Sequence, residues 1–109
     1  MQGTTKVKKT NRGFRIWLEG TKLYNADFKP QDYYKAFYGN KNIILCSYGN
    51  KLKSEVMNGC SKVSGNERNG KPRPIIDLHN NKIGELFKAD AKLTIKYEEN
   101  FITISNESE

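Results

Sequence analysis

Apolar and polar residues alternate in several short runs of the chain. Apolar or aromatic side chains occupy every second position of Tyr34–Tyr38, and Leu93–Tyr97 has the same spacing. A period of two places these side chains on one face of a β-strand. A polar turn follows each run, and then a second alternating segment, Ile43–Leu45 in one case and Ile102–Ile104 in the other. The pattern predicts two similar strand–turn–strand units.

A polar turn also separates two apolar segments near the start of each half. In the first half, KVKKTNRGFRIWL carries Asn-Arg-Gly at residues 11–13; in the second half, KVSGNERNGKPRPIIDL carries Asn69-Gly70. Asn-Gly between apolar runs is a strong short-range signal for a β-hairpin. We therefore predict a hairpin at the start of each half, with a turn that is four residues longer in the second.

Between the hairpin and the later strands, each half has a short segment typical of a helix. These segments are Thr21–Phe28 and Asn81–Phe87, and the first residue of each is an N-cap candidate. Leu23 and Ile83 are expected to face inward. Helices of about two turns are not stable alone, so both must pack against the strands.

The same elements occur in the same order in both halves. Val7 matches Val63 at an offset of 56 residues, Ile16 matches Ile76 at 60, and the segments after the helix match at 59. The offset changes only at turns and within the helix, as expected of a diverged duplication. The predicted organisation is one domain, 1–109, built of two repeats, 6–46 and 62–105, joined by a linker, 47–61.

Composition and charge narrow the class of partner. Apolar residues are 36% of the chain, and the ends Met1–Thr5 and Asn106–Glu109, which have few of them, are expected to fray. The net charge of +7 divides into +6 over residues 1–46, +4 over 47–75 and −3 over 76–109. A basic balance favours an anionic partner, most often nucleic acid. Such a partner is expected to meet the first half and the middle of the chain.

The sequence gives little support for a membrane protein, a zinc protein or an enzyme. No apolar run reaches the length of a membrane span and no signal peptide is visible, so we expect no membrane partner and a cytoplasmic location. Cys46 and Cys60 are then reduced thiols. Two cysteines and one histidine, His79, make a zinc site improbable, and no nucleophile arrangement accompanies the histidine. We expect neither cofactor, metal nor enzymatic activity.

The doubled order of elements resembles the swapped-hairpin proteins of the SpoVT-AbrB type, including the SymE-like proteins. In the first copy LEGTKLYNADFKPQDYYKAFYGNKNIIL follows the SymE-like pattern; the second keeps the apolar frame in PIIDL, IGELF, LTIKY and FITI. The two copies cover about four fifths of the chain. In that family two chains interleave hairpins, so the resemblance implies a mainly β fold with two short helices: a tandem swapped-hairpin β-barrel and single-chain pseudo-dimer.

The resemblance also implies a function. AbrB-type regulators bind DNA with basic residues near the first hairpin of each subunit, and all four arginines of this chain lie in the two predicted hairpins. Arginine suits contacts with phosphates and guanine edges. The implied protein is a small DNA-binding regulator or antitoxin-like module. Its candidate nucleic-acid-binding residues are Lys8, Lys9, Arg12, Arg15, Arg68, Lys71 and Arg73.

Two alternatives stay open. Trp17, Tyr33 and Phe37 are expected to face outward and to contact a protein, as in a phage or mobile-element inhibitor of a host defence nuclease. The aromatic residues of the segment 33–38 also suggest a stacking platform for single-stranded nucleic acid. Strand spacing, however, assigns Tyr34 and Tyr38 of this segment to the core. A SymE-like toxin acting on RNA or the nucleoid is the third hypothesis. The expected setting is a bacterial or phage-infected cell, with duplex DNA as first partner, RNA as second, and the chain a monomer or dimer.

Overall fold

The computed structural model describes residues 2–49 and 59–107, which form ten strands and two short helices. This confirms the prediction of a mainly β chain with two short helices. The elements are β1 (Gln2–Lys6), β2 (Lys8–Thr10), β3 (Gly13–Glu19), α1 (Thr21–Asn25), β4 (Tyr33–Tyr38), β5 (Asn42–Gly49), β6 (Ser61–Lys62), β7 (Ser64–Arg68), β8 (Lys71–Asn80), α2 (Lys82–Leu86), β9 (Lys92–Glu98) and β10 (Phe101–Asn106).

The strands form two antiparallel sheets. The six-stranded sheet has the order β1-β9-β10-β5-β4-β6, and the four-stranded sheet has the order β2-β3-β8-β7. Apolar residues alternate with polar ones along the central strands, which gives each sheet one buried face. The buried faces and the two helices enclose a single cluster of apolar side chains.

Both halves of the sequence supply this core equally. Among the described residues, nine buried apolar side chains come from Val7–Leu45 and nine from Val63–Ile104. Most occupy positions that the sequence repeat makes equivalent; Phe28 and Phe87 are one such pair. Neither half therefore encloses its own core, because the apolar faces of one half are covered by the other.

The first strand of each half pairs with the other half. β1 pairs with β9 along five residues, and β6 pairs with β4. The residue after each of these strands is also held by the other half. Val7 bonds through its backbone to Asp90 and Ala91, and Val63 bonds in the same way to Gln31 and Asp32. The two sets of bonds are equivalent under the repeat.

The sheets are open, so the predicted closed barrel is wrong. β1 and β6 are the edges of one sheet, and β2 and β7 are the edges of the other. The chain passes from one sheet to the other at Val7 and at Val63. Because the backbones of these two residues bond to loops rather than to strands, the hydrogen-bond ladder is interrupted there and the sheets do not join.

The ends and helices differ in detail from the sequence prediction. Residues 2–5, expected to fray, belong to β1, whose partner β9 would otherwise be an unpaired edge. Asn106 closes β10, and residues 108–109 lie outside the description. Of the predicted linker, Ser47–Gly49 continue β5 and Ser61 begins β6, whereas residues 50–58 are not described.

Both helices are shorter than expected, and of the two predicted N-cap residues Asn81 is confirmed and Thr21 is wrong. Gly20, rather than Thr21, is the N-cap residue of α1. Asn81 is the N-cap residue of α2 without a side-chain cap; the neighbouring Asn80 side chain instead accepts a bond from the Ile83 N–H at 3.2 Å. Helix α2 packs on β3 through Gly84, where an added methyl group would overlap the Phe14 ring.

Candidate nucleic-acid interface

The four-stranded sheet brings both predicted hairpins together. We call β2–β3 hairpin one and β7–β8 hairpin two; β3 and β8 pair at the centre of the sheet. In this pairing Trp17 is opposite Asp77, while Ile16 is opposite Leu78 and Leu18 is opposite Ile76. Positions 17 and 77 are equivalent under the repeat, so the pairing is centred on them.

A second pairing is centred in the same way. In the six-stranded sheet Ile44 of β5 lies opposite Thr103 of β10, and these positions also match under the repeat, at an offset of 59. Two strand pairings, one in each sheet, are thus arranged about equivalent residues. This is the register that an approximate twofold axis through both sheets requires.

Hairpin two is extended by strand rather than by loop. Asn69 and Gly70 form its two-residue turn with φ of 53° and 75°, the conformation that Asn-Gly favours in tight hairpins. Arg68 pairs with Lys71 directly before the turn. The sequence predicted four additional residues in this turn. In the structure they instead form two additional strand pairs between β7 and β8, so hairpin two projects further than hairpin one.

The tip of hairpin one is held by side-chain hydrogen bonds. Thr10 Oγ1 accepts a bond from the Arg12 N–H at 3.2 Å and lies 2.7 Å from His79 Nε2 on the neighbouring β8. These contacts fix the turn against the sheet and leave the Arg12 side chain exposed. His79, unassigned by the sequence, therefore has a structural contact with the tip.

The two tips lie at opposite ends of the sheet. The tip of hairpin one lies beyond the end of β8 at Asn80, because Phe14 pairs with that residue. The tip of hairpin two precedes Lys71 at the other end. Ten residues of β8 separate them, which at about 3.3 Å per residue corresponds to roughly 30 Å. This spacing agrees with the longest dimension of the molecule, 34 Å.

Most of the predicted basic residues are exposed at these tips or on the outer face of the sheet. Lys8, Lys71 and Arg73 are exposed there. Lys9 lies on the other face of the sheet, because its strand partner Phe14 packs against the core. The Arg68 side chain lies outside the described part of the structure.

Arg15 has a different environment from the other basic residues. It is half-buried, with Nε 3.0 Å from Asp77 Oδ1. Its Nε is shielded from solvent and its N–H has no well-aligned acceptor, so the contact is an ion pair more than a hydrogen bond. The guanidinium carbon lies 6.0 Å from the centre of the Trp17 ring. Asp77, which the sequence did not single out, thus offsets one positive charge at the centre of the face.

The three predicted protein-contact residues do not form one surface. Trp17, 41% exposed, lies on the four-stranded sheet. Tyr33 and Phe37 lie on the outer face of the six-stranded sheet, on the other side of the core. On that second face Cys46 is half-buried, and burial raises the pKa of its thiol above the ordinary value.

Comparison of the chain with known proteins identifies no relative from which a role could be transferred. No protein-family model, curated protein or solved structure matches the chain. Over residues 2–49 and 59–107, no group of three or more His, Cys, Asp or Glu side chains is arranged to hold a metal ion. Neither α1 nor α2 has the length and apolar content of a membrane span.

Proposed function

We propose that this chain is a single-chain pseudo-dimer of the swapped-hairpin type that binds duplex DNA through hairpins one and two. One observation carries the proposal: the four-stranded sheet places both arginine-bearing hairpins side by side, with their pairing centred on the equivalent positions Trp17 and Asp77. A regulatory or antitoxin-like role is the corresponding biological function. The protein-inhibitor and RNA-toxin hypotheses stay predictions.

The exchange of first strands supports the pseudo-dimer part of the proposal. β1 completes the sheet of the second half and β6 that of the first, as two chains would do for each other in a swapped dimer. Joining the halves in one chain removes the cost of bringing two subunits together. It also allows the two binding hairpins to diverge, as the longer hairpin two has done.

The spacing of the tips supports duplex DNA as the ligand. Proteins with paired recognition elements contact half-sites about 34–36 Å apart, one turn of the double helix. The tips are separated by roughly 30 Å along β8, and exposed basic side chains lie near both, Arg12 at one and Lys71 at the other. In this proposal each tip contacts one groove on the same side of a duplex.

The two hairpins differ in the pairing of their arginines and in length. Arg15 on the side of hairpin one is paired with Asp77, whereas Arg73 in hairpin two has Asn66 as its strand partner and is exposed. Hairpin two also projects further. We expect it to make the larger contribution to the free energy of binding.

The test is fluorescence anisotropy with a labelled mixed-sequence duplex over a series of salt concentrations. The expected result for the double variant Arg12→Ala/Arg73→Ala is weaker binding and a shallower dependence on salt, by about two units of slope if each arginine neutralises one phosphate.

The matched control is Lys29→Ala/Lys88→Ala, which removes the same charge from two exposed and equivalent loop positions. This control should bind nearly as the parent does. Absence of duplex binding at low salt, or equal losses in both double variants, would overturn the proposal, since the second outcome indicates an effect of net charge alone.

A further inference from the structure

The outer face of the six-stranded sheet exposes large apolar side chains. Of the four such side chains among the described residues, three belong to this sheet: Phe37 (45% exposed), Tyr48 (37%) and Phe101 (50%). The fourth, Trp17, lies on the four-stranded sheet. The proposed hairpin site uses none of the first three, and they do not belong to the core.

Strand register brings part of this set into one strip. Phe37 on β4 lies opposite Ile44 on β5, and Cys46 on β5 lies opposite Phe101 on β10. Ile44 and Cys46 are two residues apart, so their side chains share a face. Neighbouring side chains on one face of paired strands are about 5 Å apart. The strip therefore crosses three strands, with an aromatic ring at each end.

Lysines accompany these rings. Lys35 Nζ lies 5.4 Å from the centre of the Phe37 ring, and Lys62 Nζ lies 5.2 Å from the centre of the Tyr33 ring. At these distances the ammonium groups interact with the aromatic faces. The side chains on this part of the sheet are thus both aromatic and positively charged.

The remainder of the outer face is also basic. Its β1 and β9 positions carry three further lysines, Lys6, Lys92 and Lys96. Glu98 is the one acidic residue with this orientation on the described strands of the sheet, and its carboxylate lies 3.7 Å from Lys96 Nζ. A net positive field therefore covers the face.

We propose that this outer face, here called the aromatic face, binds single-stranded nucleic acid. The rings of Phe37 and Phe101 stack on bases, with Tyr33 as a third ring, and the lysines contact the phosphates. Aromatic side chains beside a positive surface are the combination that binds single strands without base-specific hydrogen bonds. A duplex cannot use it in the same way, because its bases are already stacked on each other.

Charge distinguishes this ligand from a second copy of the chain. Two aromatic faces brought together would place Lys35, Lys62 and their neighbours against the same lysines, which is unfavourable. A polyanion has complementary charge at every phosphate. This inference goes beyond the proposed duplex site, which lies on the other side of the core.

The test is anisotropy with labelled 15-nucleotide oligo-dT and oligo-U, using the full chain. We expect binding that weakens about tenfold when either ring is removed, in Phe37→Ala or Phe101→Ala, and further in the double variant. Phe37→Tyr should retain binding and Phe37→Leu should weaken it about as much as Phe37→Ala does, because tyrosine keeps a stacking ring and leucine keeps only apolar area. Both rings are about half exposed, so circular dichroism should show folded variants.

Trp17 gives an independent signal, since it is the one tryptophan of the sequence and lies on the opposite sheet. Its fluorescence should change when duplex DNA binds and stay unchanged when oligo-dT saturates the aromatic face. The control Arg12→Ala/Arg73→Ala should bind duplex DNA more weakly and keep single-strand binding, so the two proposals fail separately.

Four results would overturn the proposal. They are no oligonucleotide binding at low salt, binding that survives Phe37→Ala/Phe101→Ala, displacement of bound duplex by single strands with a change in Trp17 fluorescence, and undiminished oligonucleotide binding by Phe37→Leu. The last result would show that exposed apolar area, rather than a stacking ring, accounts for binding at this face.

Discussion

Trp17 and Asp77 lie opposite each other where β3 and β8 cross the centre of the four-stranded sheet. The sequence repeat makes their positions equivalent, yet one half places an indole there and the other a carboxylate. Arg15 contacts both, with Nε 3.0 Å from Asp77 and its guanidinium 6.0 Å from the Trp17 ring centre. The centre of the proposed duplex-binding face is therefore asymmetric, and an acid occupies part of it.

Replacing Asp77 with asparagine should strengthen duplex binding. The change removes a negative charge from the middle of the face and releases Arg15 for phosphate contact. One charge acting at roughly 8 Å in an effective dielectric of about 40 contributes about 1 kcal/mol, which corresponds to about fivefold in affinity. Anisotropy at low and moderate salt measures this, and the gain should decrease as salt rises.

The ion pair is partly exposed, so its loss should change the free energy of unfolding by no more than about 1 kcal/mol. Asp90→Asn is the control: it removes one charge from an exposed loop residue with φ of 63°, a conformation that asparagine accepts. Equal gains from both variants would mean that net charge, rather than position on this face, decides affinity.

Gly65 is required by the geometry of hairpin two. Its φ is 119°, and a methyl group added there would overlap the carbonyl oxygen of Arg73 on the paired strand. Gly65→Ala should therefore lower the free energy of unfolding by about 2 kcal/mol or more. Because β8 carries Lys71 and Arg73, duplex binding should weaken as well. Urea unfolding and anisotropy on the same preparation measure both effects.

Gly70→Ala is the matched control within the same hairpin. Gly70 also has positive φ, 75°, but nothing lies within 4 Å of an added methyl group. Only the conformational cost remains, about 1–2 kcal/mol. If the two variants are equally stable, the close approach of β7 to β8 at Gly65 does not constrain the hairpin.

Stability should fall in alkaline solution partly through Tyr34. Burial raises the pKa of this hydroxyl above its ordinary value of 10.0, and its hydrogen bond with Ser61 offsets a smaller part of that rise. Above pH 10 the unfolded chain loses the Tyr34 proton before the folded chain does, so the unfolded state is favoured as pH rises. The loss is at most about 1.4 kcal/mol per pH unit for this group, and urea unfolding between pH 8 and 11 measures it.

Tyr34→Phe isolates the contribution of this residue. It should be less stable than the parent near neutral pH, by about 0.5–1.5 kcal/mol for the lost hydrogen bond, and should lose less stability between pH 10 and 11. Tyr97, whose pKa is also raised by burial, remains in both proteins. An unchanged alkaline slope in the variant would show that Tyr34 ionises equally in the folded and unfolded states.

The period-two pattern predicted the buried face of the strands well. Ile43, Leu45, Ile102 and Ile104 all lie in the core as expected, because burial of one sheet face is a local property that alternation records. The Asn69-Gly70 turn was likewise readable from two residues. Among the basic residues predicted for the hairpins, Arg12, Lys71 and Arg73 are exposed and Arg15 is half-buried.

Features that depend on contacts distant in sequence were not readable in this way. The composition of residues 2–5 predicted a frayed end, but these residues pair with β9, which is distant in the sequence. The barrel was expected from a resemblance, but closure depends on how the chain passes Val7 and Val63, where loops of the other half take the backbone bonds. The charge of Arg15 is offset by a residue sixty-two positions away, and no short motif marks that contact.

Cutting the chain between residues 54 and 55 tests the pseudo-dimer directly. Each fragment retains half of the buried apolar side chains of the core, and β3 and β5 lose their partners β8 and β10. Neither fragment should be a folded monomer. Mixing them in equal amounts should restore strand circular dichroism, with a 1:1 complex in analytical ultracentrifugation. A fragment that folds alone as a monomer would contradict the proposal.

The mixed complex should also be preferred to complexes of identical fragments, and the packing of α2 explains why. Phe14 of the first half packs over Gly84 of the second, where even a methyl group would overlap its ring. Under the repeat, Tyr24 is the counterpart of Gly84, so a pair of first halves would place Phe14 against a tyrosine. Such overpacking costs about 1–3 kcal/mol at each site. Substituting Phe14→Ala should reduce this preference, and equal preference in the parent fragments would show that the halves have not become complementary.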